Sequence, residues 1–403
     1  LVAASFVIAS YSFAGATPSK PYSTNDQPTT HIRFDTATGA DAKRQQLIDY
    51  IWSDGLPTST MPIATTNVGF NSDLNAITQS AVSRVDRLDA KVYGLDNIAY
   101  LLSPTNTANA NRLAIVYMGH ASSAADALGY GVGNTANHLL QAGYSVMAMQ
   151  MPLMGWNRSY NTCAPPGLGA VTITNLGSSI AHDELFAKVE PTLGGATFRF
   201  FLEPTIQAIN YFKNTNTNAK DISMIGLSGG GWTTSMAAAV DNRIRLSIPV
   251  AGSAPLYVQN HIGSTADTEQ VYPPMFDERI NADGSGGGMA TWLEIYALGG
   301  YGAGRRQIMV TIPNEPVGLF PTTWVTDSID GASVKGLVTG TFERLHSGQW
   351  QQAYDMSAPI HQISPWTIGN VIIPALQTPE PPANVSGAIG LFVLGCYAWK
   401  RRH

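Results

Sequence analysis

Three side chains of the 403-residue sequence have the types and the order that nucleophilic attack on a carbonyl requires: Ser228, Glu315 and His361. A serine hydroxyl reacts poorly until a base removes its proton. Neutral imidazole does this near neutral pH, and a carboxylate on the other ring nitrogen orients the ring and stabilises its charged form. Ser228 lies in Gly226-Leu227-Ser228-Gly229-Gly230, a match to G-x-S-x-G. In that pattern a strand turns sharply into a helix, the serine backbone is strained, and only small residues fit two positions to either side. A chain with 39 glycines meets the pattern by chance, so the flanks must decide. Here a β-rich run, "ISMI", precedes the serine and a helical stretch, "WTTSMAAAV", follows it. The alternative, a plain loop serine, has no use for that context.

The partners follow from position. Glu315 ends the strand-like run "RQIMVTIPNE" and is the sole carboxylate between Glu294 and Asp327; Asp327, in "TTWVTDSID", is the rival acid. His361 follows the last strand-like run, "QWQQAYDM", whereas His346 precedes it and would sit at the wrong end of a parallel sheet. His361 is therefore the expected base. The Gly229 N–H, at the start of the helix, is expected to face a developing oxyanion, with a second donor from the loop after "IVYM", at His120 or Ala121. A loop histidine held by solvent or a carboxylate is the plainer reading of the His120 ring.

These residues need a scaffold that aligns strand ends. "DAKRQQLIDYIW" has helical spacing, and Val85 to Ser103 reads as a hairpin about Gly94. From Arg112 the pattern alternates: strand "RLAIVYMG", helix "GNTANHLLQAG", strand "YSVMAMQMP", helix "EPTIQAINYFK", then strands "ISMIGLS", "RLSIPVAGS" and "RQIMVTIPN". Continuous apolar strands alternating with helices predict a parallel sheet covered on both faces. Two long connections, 153–197 and 255–304, read as irregular and are expected to form a lid or binding loops.

The order Ser228, Glu315, His361 and the segments Ile222 to Pro255, "YMGH" and "MQMPLMGWN" resemble the secreted, uncharacterised branch of the α/β-hydrolase superfamily, over about residues 90 to 370. The resemblance implies an α/β-hydrolase fold, with a mostly parallel central sheet flanked by helices, and acyl transfer to water through an acyl-enzyme. Carboxylic-ester hydrolysis is the expected reaction. A serine peptidase or amidase, or a non-catalytic surface or matrix protein on the same fold, stays open.

Other signals are weaker. His182-Asp183-Glu184 has the composition of a metal cluster without a ligand spacing and reads as a solvated helix start. Trp156, Trp232, Trp292 and Trp324 read as core, with pocket lining as the alternative. No P-loop or dinucleotide fingerprint is present, so neither a cofactor nor a metal is expected. Only 13% of residues are charged, the net charge is −5, and no basic stripe interrupts the middle of the chain, which excludes a nucleic-acid partner.

The ends read as addresses. Residues 1–16 have the apolar run and small-residue cleavage site of an export signal, although no Met or basic n-region precedes them, and 17–40 read as a polar linker to a catalytic domain over 41–375. Residues 376–403 join Pro379-Glu380-Pro381 to an apolar stretch and to Lys400, Arg401 and Arg402. By the positive-inside rule the basic cluster stays cytoplasmic, which places the domain across the membrane. This tail resembles PEP-CTERM sorting signals of exopolysaccharide-producing Gram-negative bacteria. That likeness implies an exosortase-type processing enzyme, transient membrane anchoring, and release or display at the cell surface. A plain single-span anchor is the alternative. With Cys163 in the domain and Cys396 in the tail, no disulfide framework is expected.

Overall fold

Continuous apolar runs make the centre of the sheet, because strands covered on both faces have no polar side to alternate with. The computed structural model describes residues 31–176, 180–256, 267–279, 286–315 and 334–377. Its strands are β1 (Ile63–Thr65), β2 (Val82–Val92), β3 (Leu95–Pro104), β4 (Asn109–Met118), β5 (Tyr144–Gln150), the short β6 (Thr162–Cys163) and β7 (Val171–Thr172), β8 (Ile222–Leu227), β9 (Ile244–Val250), β10 (Arg306–Thr311) and β11 (Gln349–Tyr354). Among the described residues, nine of these form one sheet in the order β1-β2-β3-β5-β4-β8-β9-β10-β11, and β6 pairs with β7 apart from it. Every residue of β5 and β8 is buried. Pairing is antiparallel from β1 through β2 and β3 to β5, and parallel from β5 to β11. The β2–β3 hairpin turns at Tyr93 and Gly94, with φ of 48° and 84°, the pair of positive angles that a tight two-residue turn needs.

The helices are α1 (Ala37–Ile51), α2 (Val132–Gln141), α3 (Ile180–Leu193), α4 (Arg199–Thr215), α5 (Gly229–Val240), α6 (Trp292–Gly300) and α7 (Val334–Leu345). The chain crosses from β4 through α2 to β5 in one direction along the sheet, and from β5 to β8 and onward to β11 in the other. Right-handed crossovers therefore put α2 on one face and α4, α5 and α6 on the opposite face. The chain diverges where β4 and β8 lie side by side, and the crevice beyond their carboxyl ends is where open α/β sheets bind ligands.

Three stretches differ from the sequence expectation, one of them the first long connection, expected to be irregular, which holds α3. Helix α1 starts at Ala37, inside the segment read as a linker, because the Thr36 side chain caps it by accepting the Gly39 N–H. Just before it, Arg33 forks onto Glu294 with contacts of 2.7 and 2.9 Å. The second long connection, expected to be irregular, ends in α6. A capping box between Thr291 and Glu294 starts that helix, and all its residues are buried. Its sequence, "WLEIYALGG", hid the helix, because it has no polar face to give a periodic signal. Trp156, Trp232 and Trp292 are buried in the core, and Trp324 lies outside the described residues. No helix among the described residues is long and apolar enough to cross a membrane; the segments at 1–30 and 378–403, which carry the address-like ends, are not among them.

Candidate active site

Ser228 follows β8 directly and opens α5 with φ 60° and ψ −130°, a region that a residue with a side chain seldom occupies. Its N–H donates to Val250 O at 3.0 Å and its carbonyl accepts the Trp232 N–H at 3.0 Å, which fastens the turn to β9 on one side and to α5 on the other. The neighbouring glycines explain themselves by contact. A Cβ on Gly226 would stand 2.1 Å from Gly230 O, and one on Gly230 would stand 2.2 Å from Tyr117 O. Gly231 has a reason too: its Cβ would meet Gly252 Cα and Val250 O at 2.9 Å, so α5 rests backbone on backbone against the end of β9.

Glu315 and His361 come together from the ends of β10 and β11. His361 Nδ1 lies 2.5 Å from Glu315 Oε2, with the carboxylate almost fully buried and the imidazole side chain 20% exposed. A carboxylate on Nδ1 leaves Nε2 as the nitrogen that can take up a proton. Among the described residues no hydrogen bond joins His361 to Ser228; catalytic hydrogen bonds often close only with substrate bound. Asp327 lies outside the described residues. His346 sits between α7 and the amino end of β11, away from the carboxyl ends that carry Ser228 and Glu315.

Around His361 the loop is held at several points. Asp355, wholly buried just after β11, accepts the Ser357 N–H at 2.9 Å, the Ser357 hydroxyl at 2.6 Å, the Thr367 hydroxyl at 2.7 Å and the Ser364 hydroxyl. Burial alone would raise its pKa, but these donors, Ser357 foremost, outweigh burial and hold Asp355 below the ordinary carboxylate value. On the other side of His361, the Ile363 N–H donates to Tyr130 O at 2.9 Å. Gly131 packs so tightly below Ile363 that any Cβ there would overlap the Ile363 carbonyl.

The residues expected as oxyanion donors lie where β4 ends beside β8. A Cβ on Gly119 would lie 2.4 Å from the Gly229 nitrogen, so the two backbones touch. The Gly229 N–H, at the first helical position, has no acceptor within its own helix. The two expected second donors are not equivalent. The Ala121 N–H already donates to Gly119 O at 2.9 Å, whereas the His120 N–H makes no backbone hydrogen bond among the described residues.

The His120 ring enters a cluster that sequence reasoning missed. Its Nε2 lies 2.9 Å from Glu269 Oε1 and 3.1 Å from His182 Nδ1. Burial pulls the His120 pKa down, but Asp267, Glu269 and Asp183 outweigh it and push the value up to about 9. For Glu269 burial acts upward, and the two histidines hold its carboxyl well below the usual range. The reading of His182-Asp183-Glu184 as a solvated helix start holds for the helix, which begins at Ile180, and is corrected for the solvation. His182 is fully buried, Asp183 accepts the Thr268 hydroxyl at 2.5 Å, and Glu184 accepts the Thr174 and Asn175 N–H groups at 2.9 Å. The signal was present in the spacing, since His182 shares the buried stripe of Leu185, Phe186 and Val189. For Glu269 no local signal existed. Asp355 could have been found from "DMS", where an aspartate accepting the N–H two residues on makes a turn.

No protein-family model matches the sequence, and no curated protein matches it either. Solved structures do. An acetyl xylan esterase from a Thermoanaerobacterium species shares 14% identity over 85% of this chain and 94% of its own, with a TM-score of 0.50. A methylesterase shares 15% identity over 83% of this chain with a TM-score of 0.49, and this chain spans only 63% of its length. An acetyl xylan esterase from a Paenibacillus species shares 13% identity over 87% of this chain and 96% of its own, with a TM-score of 0.47. At such identities the likeness is one of fold. Strand order, crossover pattern and the first of these likenesses agree, and the chain has the α/β-hydrolase fold.

Proposed function

We propose that the protein is a serine hydrolase cleaving carboxylic esters. What supports the reading is the buried Glu315 carboxylate on His361 Nδ1, together with the strained backbone of Ser228 at the carboxyl end of β8 in the same parallel sheet. In the proposed reaction Ser228 Oγ attacks the ester carbonyl while His361 Nε2 takes its proton. The carbonyl oxygen becomes an oxyanion facing the Gly229 and His120 N–H groups. Collapse breaks the bond to the alkoxide, which leaves with the proton from Nε2. Water, activated by the same nitrogen, then attacks the acyl-enzyme, releases the acid and restores Ser228. Glu315 stays ionised throughout and steadies the imidazolium.

Acetylated carbohydrate, the substrate class in the names of two structural neighbours, is the first substrate class to try. Turnover of a p-nitrophenyl acyl ester tests the reading: activity that disappears in Ser228→Ala supports it, and activity that persists at the wild-type rate contradicts it.

We also propose export, with residues 1–16 as the signal and 376–403 as a sorting tail processed by an exosortase-type enzyme. What supports this is the pattern of an apolar run at one end and a Pro-Glu-Pro, apolar, basic succession at the other. Mass spectrometry of mature protein from its host is expected to lack the last 20 or so residues, the apolar span and basic end. Their retention would contradict processing.

A further inference from the structure

His120, His182 and Glu269 come from three separate segments: the loop after β4, helix α3 in the first insertion, and the one-turn helix Thr268–Val271 in the second. Their ligand atoms converge. His120 Nε2 to His182 Nδ1 is 3.1 Å, His120 Nε2 to Glu269 Oε1 is 2.9 Å, and His182 Nδ1 to Glu269 Oε1 is 3.3 Å. Bonds of ~2.0–2.1 Å, the length of Zn–N and Zn–O bonds, put tetrahedral ligands about 3.3 Å apart. The triangle is close to that size, and a small divalent cation would cap it from one side.

Proton placement points the same way. His182 Nε2 lies 2.9 Å from Pro152 O, and a carbonyl can only accept, so the proton of a neutral His182 sits on Nε2. In that tautomer Nδ1 turns its lone pair toward Glu269 Oε1 at 3.3 Å, the arrangement in which a cation bridges the two atoms. A ring N–H given to a backbone carbonyl is also the outer-shell contact that metal-bound histidines usually make. The second oxygen of the fully buried Glu269, Oε2, has no hydrogen-bond partner among the described residues. Asp267 Oδ2, 3.4 Å from His120 Nε2, is a further oxygen donor for a fourth position.

We infer that His120, His182 and Glu269 bind a divalent transition-metal cation of the Zn2+ class, which staples both insertions to the loop that carries the proposed oxyanion donor. Two imidazoles and a carboxylate are a zinc-type ligand set. With Nε2 bound to metal, the His120 proton moves to Nδ1, the edge of the ring that lies against Gly229. The inference does not depend on Ser228 being a nucleophile, since the cluster forms without it.

The test uses the full domain, without a histidine tag and dialysed against chelator, titrated with Zn2+ followed by calorimetry and with Co2+ followed by absorption. One equivalent of Zn2+ is expected, with tetrahedral or five-coordinate Co2+ bands. Zinc-edge X-ray absorption of the wild-type protein should show two imidazoles and oxygen donors only. Glu269→Gln and His182→Gln should each weaken binding at least about a hundredfold, and Zn2+ should raise Tm in the wild type but not in these variants. Three results would overturn the site: no saturable binding to the wild type, fewer than two imidazoles in its absorption spectrum, or unchanged binding in both variants. In the first, a proton on His182 Nδ1 holds the cluster together. Should either variant fail to fold, the wild-type stoichiometry and spectrum decide alone.

Discussion

The molecule holds two histidine–carboxylate pairs that follow carboxyl ends of parallel strands, and their surroundings differ. At the β10 and β11 ends, His361 gives one nitrogen to buried Glu315 and keeps a fifth of its side chain exposed. At the β4 end, His120, itself 15% exposed, points its Nε2 at two acceptor atoms on fully buried side chains, His182 and Glu269. A proton shuttle needs one nitrogen fixed and the other open to a changing partner. A strut needs one nitrogen fixed between partners that do not change. The same residue types therefore predict different chemistry once the partners of each ring nitrogen are taken into account.

That contrast can be broken by substitution, starting with the largest expected effect. His361→Ala is expected to lower kcat/KM for an ester by ~10³–10⁴-fold, as loss of a triad base does. His346→Ala, at the other end of the sheet, should leave the rate near wild type, and steady-state kinetics of the two side by side checks the assignment. Glu315→Gln, which keeps the shape but loses the charge, should lower kcat by ~10²–10⁴-fold with folding retained. If it were silent, Asp327 would become the acid to test. Glu269→Gln should act mainly on stability: breaking one partner of a buried pair costs about 3–5 kcal/mol, read as a lower denaturation midpoint.

Smaller still is Asp355→Asn, expected to lose ~1–3 kcal/mol and to lower kcat several-fold by loosening the His361 loop. It also has a pH signature. The folded pKa of Asp355 lies below its unfolded value, so its stabilisation is fully present above the ordinary carboxylate pKa of about 3.9 and is lost as pH falls through the folded value. The variant should therefore show a shallower loss of Tm on acidification, measured by calorimetry between neutral pH and about pH 3. An identical slope in both proteins would remove Asp355 from that role.

Local chemistry made part of this legible in the sequence. The turn at Ser228 announces itself through glycines that the structure shows pressed against Tyr117 O, Gly230 O and Gly252 Cα. That Glu315 and His361 meet was legible because strand ends on a parallel sheet fall on one side, so order along the chain becomes neighbourhood in space. The strands were legible for the same reason they are buried. What stayed hidden was long-range. Glu269 reaches His120 across 149 positions and Arg33 reaches Glu294 across 261, and nothing near either residue encodes its partner. Helix α6 was missed because burial on all sides erases the periodicity by which helices are recognised. His182 was misjudged by its acidic neighbours, although the apolar stripe it shares with Leu185 and Phe186 marked it as an inward-facing residue.

The central claim is that Ser228 is the nucleophile and His361 its base. The direct measurement is labelling of the folded protein with a fluorophosphonate, followed by mass mapping of the modified peptide, in wild type, Ser228→Ala and His361→Ala. The predicted result is one adduct per chain on the peptide containing Ser228, absent in Ser228→Ala and slowed by orders of magnitude in His361→Ala. An adduct on another residue, or labelling that survives Ser228→Ala, would contradict the account.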